Sequence, residues 1–361
     1  MTGAQIIVLA TPVFLALIAL EFAVGLARGR NTYRLNDSLN SIGLGVMSQV
    51  TGVFGKLLRI GVYTLAFEHV ALWRLPADSV AVWIFALLFY DFCYYWLHRG
   101  GHRVAVLWAA HAVHHQSEDY NLGTALRQTS SGFLLGWLFY LPMAVVGVPP
   151  LVFAVVALVD LLYQYWVHTQ QIGRLGWFDR WFCSPSNHRV HHAVNDKYMD
   201  KNYGGILIVW DRLFGTFTEE DEAEPCVYGT RAPLRSWNPL WANLQVYRDL
   251  VVDSWRAASW ADKLRVWLMP PGWRPADVAA RWPKSAFDIG AVTRFDPPAS
   301  RVAQAAAATL FVAILGATTA FLWFSHLLSL RDQLLGAIGI VALLWAVGAL
   351  LQPRTAALRT A

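Results

Sequence analysis

Asp91-Phe92-Cys93-Tyr94-Tyr95-Trp96-Leu97-His98-Arg99-Gly100-Gly101-His102 closes an apolar run that opens at Val80, and its halves suit different surroundings. The first half suits a bilayer and the second a metal ion. Residues three and four apart share one helix face, so His98 and His102 project the same way, and each later group projects its imidazoles to one side. His111-Ala112-Val113-His114-His115 follows at once, and His188-Arg189-Val190-His191-His192 repeats its spacing further on. With His168, these make nine of the 11 histidines. A single histidine is ordinarily a hydrogen-bonded polar residue, but three groups with repeated His-x-x-His-His spacing beside apolar spans point to metal. The eight imidazoles of the groups exceed what one ion takes, so two ions are expected. His69 and His326 lie apart and read as structural.

Imidazole accepts zinc, iron, copper and nickel alike, so nitrogen ligation does not choose between them. There is no His-Glu-x-x-His zinc-protease motif and no Glu-x-x-His pair of the ferritin-like carboxylate sites. Three scattered cysteines, Cys93, Cys183 and Cys226, form no CxxC pair and indicate neither a disulfide framework nor a thiolate site.

The chain around these groups has 361 residues, 56% hydrophobic and 15% charged, with 18 tryptophans. That composition excludes disorder, collagen and coiled coil, and it suits long membrane–water boundaries. A net charge of +5 reads as a cytoplasmic face on an anionic leaflet rather than a nucleic-acid surface. Seven apolar stretches are candidate spans: 6–27, 43–72, 80–97, 133–148, 151–167, 305–324 and 334–351. The first, followed by Arg28, Arg30 and Arg34, reads as an uncleaved anchor with its C-terminal end in the cytoplasm. The second, interrupted by Lys56 and Arg59, is expected to be bent or partly re-entrant. The fourth and fifth form a hairpin in which Pro142 kinks the first arm. Seventeen of the 29 Lys and Arg residues fall between His168 and Gln304, which puts that stretch and the 98–131 loop on the cytoplasmic side.

The expected fold class is all-α, a polytopic integral membrane helical bundle with a cytoplasmic histidine-rich di-metal helical cap. The expected divisions are an anchor region (1–79), a catalytic domain (80–225), a cytoplasmic extension (226–304) and a C-terminal hairpin (305–361). Asp91 precedes His98 by two helical turns and Asp160 precedes His168 by about two. Carboxylates are costly inside a membrane, and orienting a ligating imidazole is a reason to keep them. A bond to a neighbouring Tyr or Trp is the other reading.

The three groups in this order resemble the fatty acid hydroxylase and sterol desaturase superfamily of membrane di-iron enzymes. So do Asp200-Lys201-Asn202-Tyr203-Gly204-Gly205 and Trp210-Asp211-Arg212-Leu213-Phe214-Gly215-Thr216-Phe217. Ser117-Glu118-Asp119-Tyr120-Asn121, Thr124-Ala125-Leu126-Arg127-Gln128 and Trp166-Val167-His168-Thr169 are similar to its branch that cleaves glyceryl ethers. Asn187 departs from that branch, which often has histidine there.

The resemblance implies a di-iron centre on His98, His102, His111, His114, His115, His168, His188, His191 and His192. It also implies O2 as oxidant and a lipid alkyl chain as substrate. The reductant is either tetrahydrobiopterin or another reduced pterin, or a ferredoxin-type electron-donor protein feeding a sterol or fatty acyl hydroxylase or desaturase. Glu118 is then a base or a pterin contact, or else a solvated loop carboxylate. Asn202 and Tyr203 cap the site or make a turn, and Arg127 and Arg189 meet a lipid phosphate or form a basic rim. A histidine-rich metal transporter fits less well, because its spans would carry polar linings. The site is expected at the cytoplasmic face, of an inner membrane if the source is bacterial.

Overall fold

A run whose only charge is Glu21 forms α1 (Gly3–Ala27), about 37 Å long at about 1.5 Å per residue and so able to cross a bilayer core of about 30 Å. In the computed structural model, which describes residues 3–352, the described residues form no strand, only isolated bridges at Phe182–Leu207 and Ala193–Tyr228. After α1 come α2 (Leu35–Lys56), α3 (Val62–Val70), α4 (Val80–Arg103) and α5 (Ala105–His115). The middle of the chain holds α6 (Leu122–Ala125), α7 (Leu141–Val146), α8 (Pro150–Trp166), α9 (Phe178–Trp181), α10 (Pro185–His192) and α11 (Val209–Leu213). The remainder is α12 (Pro239–Arg256), α13 (Trp260–Leu268), α14 (Ala276–Arg281), α15 (Arg301–Phe324) and α16 (Leu330–Leu351).

Among the described residues, four helices are long and apolar enough to cross a membrane: Gly3–Ala27, Val80–Arg103, Arg301–Leu327 and Leu330–Leu351. The protein is therefore polytopic, with fewer full-length spans than the seven apolar stretches promised. The stretch 43–72 is broken by a π-helical turn at Leu57–Gly61, where α2 gives way to α3. The stretch 133–148 is not a kinked span. It is two 3₁₀ segments, Gly132–Leu134 and Gly136–Tyr140, running into the short α7. Pro142 lies in the first turn of α7, where its missing N–H breaks no helical bond, so it starts a helix instead of bending one. Gly147 then turns the chain at φ 99°, and a Cβ there would lie 2.0 Å from the Trp73 carbonyl oxygen.

The N-terminal helices and the C-terminal hairpin share one core, in which Leu39, Val46 and Met47 pack with Phe311, Ile314, Ile340 and Leu344. A second core, around Tyr63, Tyr90, Met143 and Phe153, joins α3, α4, α7 and α8. Glu21, buried in α1, accepts the Leu122 N–H (2.8 Å), the Thr169 hydroxyl (2.5 Å) and the Tyr33 hydroxyl. This ties the first span to the residue after His168, a contact that gives a carboxylate inside an apolar helix its reason to be there.

Candidate metal centre

Four helices deliver the histidines. His98 and His102 come from the end of α4, His111, His114 and His115 from α5, and His188, His191 and His192 from α10, with His168 just beyond α8. α10 starts on Ser184, whose Oγ accepts the Asn187 N–H, with Pro185 in its first turn, a cap-and-proline start typical of helix N-termini.

All nine converge, in two sets. His98, His102, His111, His115 and His191 form one, and His114, His168, His188 and His192 the other, with the ligand atoms of each set within 4.8 Å of one another. Neither His-x-x-His-His motif serves a single set. In each motif the first and last histidines, a full turn apart, go to one set and the middle one goes to the other. The two motifs do this in opposite senses, which interleaves the sets. The His115 and His192 rings stack at 4.2 Å where they meet. His69 and His326 are exposed and belong to neither.

Backbone carbonyls fix the tautomers. Nδ1 donates to the carbonyl of Tyr203 from His98 (2.8 Å), of Arg127 from His114 (2.9 Å), of Gln164 from His168 (2.8 Å) and of Lys201 from His191 (3.0 Å). A neutral imidazole protonated at Nδ1 has a bare lone pair on Nε2. The His114 and His168 Nε2 atoms nevertheless face each other at 3.2 Å, with no proton available between them. His168–His188 (3.1 Å), His188–His192 (3.2 Å), His98–His111 (3.0 Å) and His111–His115 (3.0 Å) repeat the approach. The Nε2 atoms of His102 and His191 are buried without a partner.

Charging the rings would supply protons, but the environment opposes it. Burial first, then neighbouring imidazoles, pushes His111, His115, His188 and His192 well below the usual imidazole range. Burial also lowers His168 and His191, and brings His114 to about 4. Neutral imidazoles with converging lone pairs are the form a cation binds. Ligands about 2.1 Å from one cation and at right angles to each other are about 3.0 Å apart, so the spacing fits a metal ion in each set.

The expected orienting carboxylates act at one remove. Asp91 accepts the N–H groups of Ile206 (2.7 Å) and Leu207 (3.0 Å) and the Trp210 indole (2.9 Å), bracing the turn after Tyr203 without touching His98. Asp160 accepts the Gln164 amide (2.6 Å), and it is the Gln164 carbonyl that holds His168. Glu118 accepts the Phe295 N–H (2.5 Å) and so pins the 226–304 segment.

The two arginines are buried and bonded within the protein. Arg127 is 1% exposed and donates to the Val113 carbonyl (2.7 Å), Asn40 (2.8 Å) and Gln116 (3.2 Å), so it builds the wall that presents its own carbonyl to His114. Arg189 binds Glu220 through two nitrogens (2.8 and 2.7 Å) and donates to the Thr169 carbonyl (2.9 Å). Asn202 and Tyr203 are both turn and cap. Asn202 sits at φ 57° and bonds Asn187 and Thr218, while the Tyr203 ring lies 5.3 Å from that of His102. Asn187 donates to the Asp179 and Phe182 carbonyls (3.1 Å each), a bracing role.

Sequence reading gave no role to Asp211, although it is fully buried. It accepts the N–H of Tyr203 (2.8 Å) and of Gly204 (2.7 Å) and the Thr216 hydroxyl (2.7 Å). It therefore holds the loop whose carbonyls orient His98 and His191.

A cavity of about 580 Å3 leads to the histidines. Its walls are mostly apolar, with Ile7 and Leu15 of α1, Val46 of α2 and Leu315 and Leu322 of α15, and His98, His111, His114 and His168 line it too. Its size is ordinary for a small-ligand site, and it joins the spans to both sets.

Residues 83–216 match the fatty acid hydroxylase family model. The chain is homologous to alkylglycerol monooxygenases over most of its length. The human protein of that name is 41% identical over 267 residues, 74% of this chain and 59% of the relative. The Xenopus tropicalis one is 38% identical over 296 residues, 82% and 66% of the two chains. A Delta(7)-sterol 5(6)-desaturase of Aspergillus fumigatus is 26% identical over 180 residues, 49% and 48%. The chain thus spans about three-fifths of the human alkylglycerol monooxygenase. No solved structure matches it.

Proposed function

We propose that the two histidine sets hold an iron pair and that the protein is a membrane-bound monooxygenase that hydroxylates a lipid alkyl chain with O2. The observation that carries this reading is the His114–His168 approach, two lone pairs face to face at the end of an apolar cavity. All nine histidines serve as ligands. When bound, the iron pair supplies the oxidant, because no side-chain acid or base breaks an unactivated C–H bond. The cavity wall receives the alkyl chain, orients it and excludes water. The carbonyls of Tyr203, Lys201, Arg127 and Gln164 keep Nδ1 protonated and Nε2 free.

The substrate class follows from the relatives. A glyceryl ether hydroxylated on the carbon beside its ether oxygen gives a hemiacetal, which falls apart to an aldehyde and an alcohol. A reduced pterin supplies the electrons. The site faces the cytoplasm, in keeping with the basic excess beyond His168.

Purified protein in detergent is to be assayed for metal and then given a radiolabelled alkylglycerol with tetrahydropterin. About two irons per chain and labelled aldehyde are expected. Full iron without aldehyde refutes the ether-lipid substrate, and a stoichiometry near zero refutes the metal centre.

A further inference from the structure

Two consecutive helices in the 226–300 region are turned the wrong way for water. The outward positions of α12 are Leu240, Leu244, Arg248, Val251 and Trp255, one per turn, and those of α13 include Trp260, Leu264, Arg265 and Leu268. Trp255 is 85% exposed, Trp260 81%, Leu264 68% and Leu268 65%, while Asn243 and Asp253 are buried on the inward side. A helix against solvent shows the reverse pattern.

We propose that α12 and α13 form a platform lying in the headgroup layer of the membrane, with anionic phospholipid as their partner. Position supports this. α12 begins where the α16 span ends: the side-chain oxygen of Gln352 accepts the Trp237 N–H (3.0 Å), and a Cβ on Gly348 would lie 2.3 Å from the Trp237 carbonyl oxygen. The next span, α15, starts at Arg301, directly after this region.

Composition and charge agree. Residues 226–300 hold seven of the 18 tryptophans, and ten Lys and Arg against six Asp. Tryptophan and basic residues are the pairing that settles at a charged membrane surface. A notch of about 180 Å3 is lined by Arg248, Arg256, Arg274 and Lys284 together with Asp249 and Asp253, the last paired with Arg274 (2.8 Å). Asp249 pairs with Arg248 (3.0 Å) and Lys284 (3.3 Å), whereas Arg256 lies over the Trp282 ring at 4.4 Å and has no ion pair among the described residues. The notch keeps a cation for a lipid phosphate.

An arginine within each stripe also selects the bilayer over a second copy of this chain. A dry protein interface would bury Arg248 and Arg265 at high cost, whereas in the headgroup layer they snorkel. The platform reaches the metal centre. The Met269 carbonyl after α13 accepts the Ala105 N–H (3.0 Å), and the Ala242 carbonyl of α12 accepts the Gln116 amide (3.0 Å), so both ends of histidine-bearing α5 are tied to it.

The test places a nitroxide on Leu264→Cys in the full chain, with Glu222→Cys in the exposed acidic loop as the aqueous reference. Metal content checks folding. Collision with a water-soluble nickel chelate is measured in nanodiscs of phosphatidylcholine, alone and mixed with phosphatidylserine. At 264 we expect collisions several-fold below those at 222, a further drop with phosphatidylserine, and loss of that drop in Arg248→Glu/Arg256→Glu. Equal collision at 264 and 222 overturns the platform. Dipolar broadening between labels on two copies assigns the face to a second chain and overturns it too, and indifference to phosphatidylserine overturns the anionic partner.

Discussion

Both histidine sets are buried, apart from the half-buried His111, but they are held in different ways. In the five-histidine set, His98 and His191 both depend on one loop, through the carbonyls of Tyr203 and Lys201, and that loop hangs on Asp211. In the four-histidine set, His114 and His168 depend on two unrelated carbonyls, of Arg127 and Gln164, each braced by its own polar network. One set leans on a single loop and the other has two separate supports. Interleaving through α5 and α10 makes both sets share helices, so the difference lies in the surrounding shell and not in the ligands.

Removing a ligand is the harshest way to break that contrast. His98→Ala and His168→Ala should each abolish activity and strip metal, His98→Ala from the five-histidine set and His168→Ala from the other. Iron analysis on each variant decides. If both ions are needed for the proposed reaction, activity falls to background in both even where one ion is kept.

Next come the supports. Asp211→Ala leaves two buried N–H groups and a hydroxyl without their acceptor and should cost about 3 kcal/mol or more, with selective loss of metal from the five-histidine set. Arg127→Met should cost less, about 2 kcal/mol. It orphans several acceptors, but it also removes a cation that burial disfavours enough to lower it to about 10. Denaturation midpoints and metal content measure both. Equal loss from both sets in Asp211→Ala would show that the loop supports the centre as a whole.

Acid sharpens the contrast less and tests the neutrality of the site. In chelator-stripped protein the imidazoles outside α4 are held below their ordinary value, His114 at about 4, while the unfolded chain titrates near about 6.5. Between those values the unfolded chain binds more protons, so stability is complete above about pH 6.5 and is lost as pH falls. Asp119 and Asp211, raised to about 6 by burial, and Glu118, also raised by burial, act oppositely, because there the folded form binds more protons. These three carboxyls stand against seven imidazoles, so the thermal midpoint should fall between about pH 7 and pH 5. A midpoint that rises with acid contradicts neutral, buried histidines.

The unequal support explains what the sequence could disclose. The histidine cluster was legible because side-chain identity and three- and four-residue spacing carry its signal. Its division into interleaved sets was not, since helix spacing says which residues share a face but not that α5 and α10 each contribute to both sets. The orienting acceptors are backbone carbonyls, which leave no mark on residue type. Arg127 and Arg189 read as surface cations because a charge that is buried and hydrogen-bonded to carbonyls has the same letter as an exposed one. The fold class was legible from composition, but the 133–148 segment was not. Apolar content says that a segment avoids water and not whether it is one helix or a chain of 3₁₀ turns.

The smallest effect should come from the one support of the five-histidine loop that faces water. Arg103 at the end of α4 pairs with Asp200 at 2.6 Å, the arginine side chain exposed and the aspartate half-exposed. Exposed pairs of this kind contribute about 0–1 kcal/mol, since water competes and two side chains must be ordered. Asp200 also holds φ 59°, a conformation stabilised by the Asn202 and Asp211 bonds that follow it more than by the ion pair. Arg103→Ala should therefore lower the denaturation midpoint by under about 1 kcal/mol and leave iron content unchanged. Marked iron loss from the five-histidine set would mean that the loop is held from outside as much as by Asp211, and the contrast between one support and two would then fail.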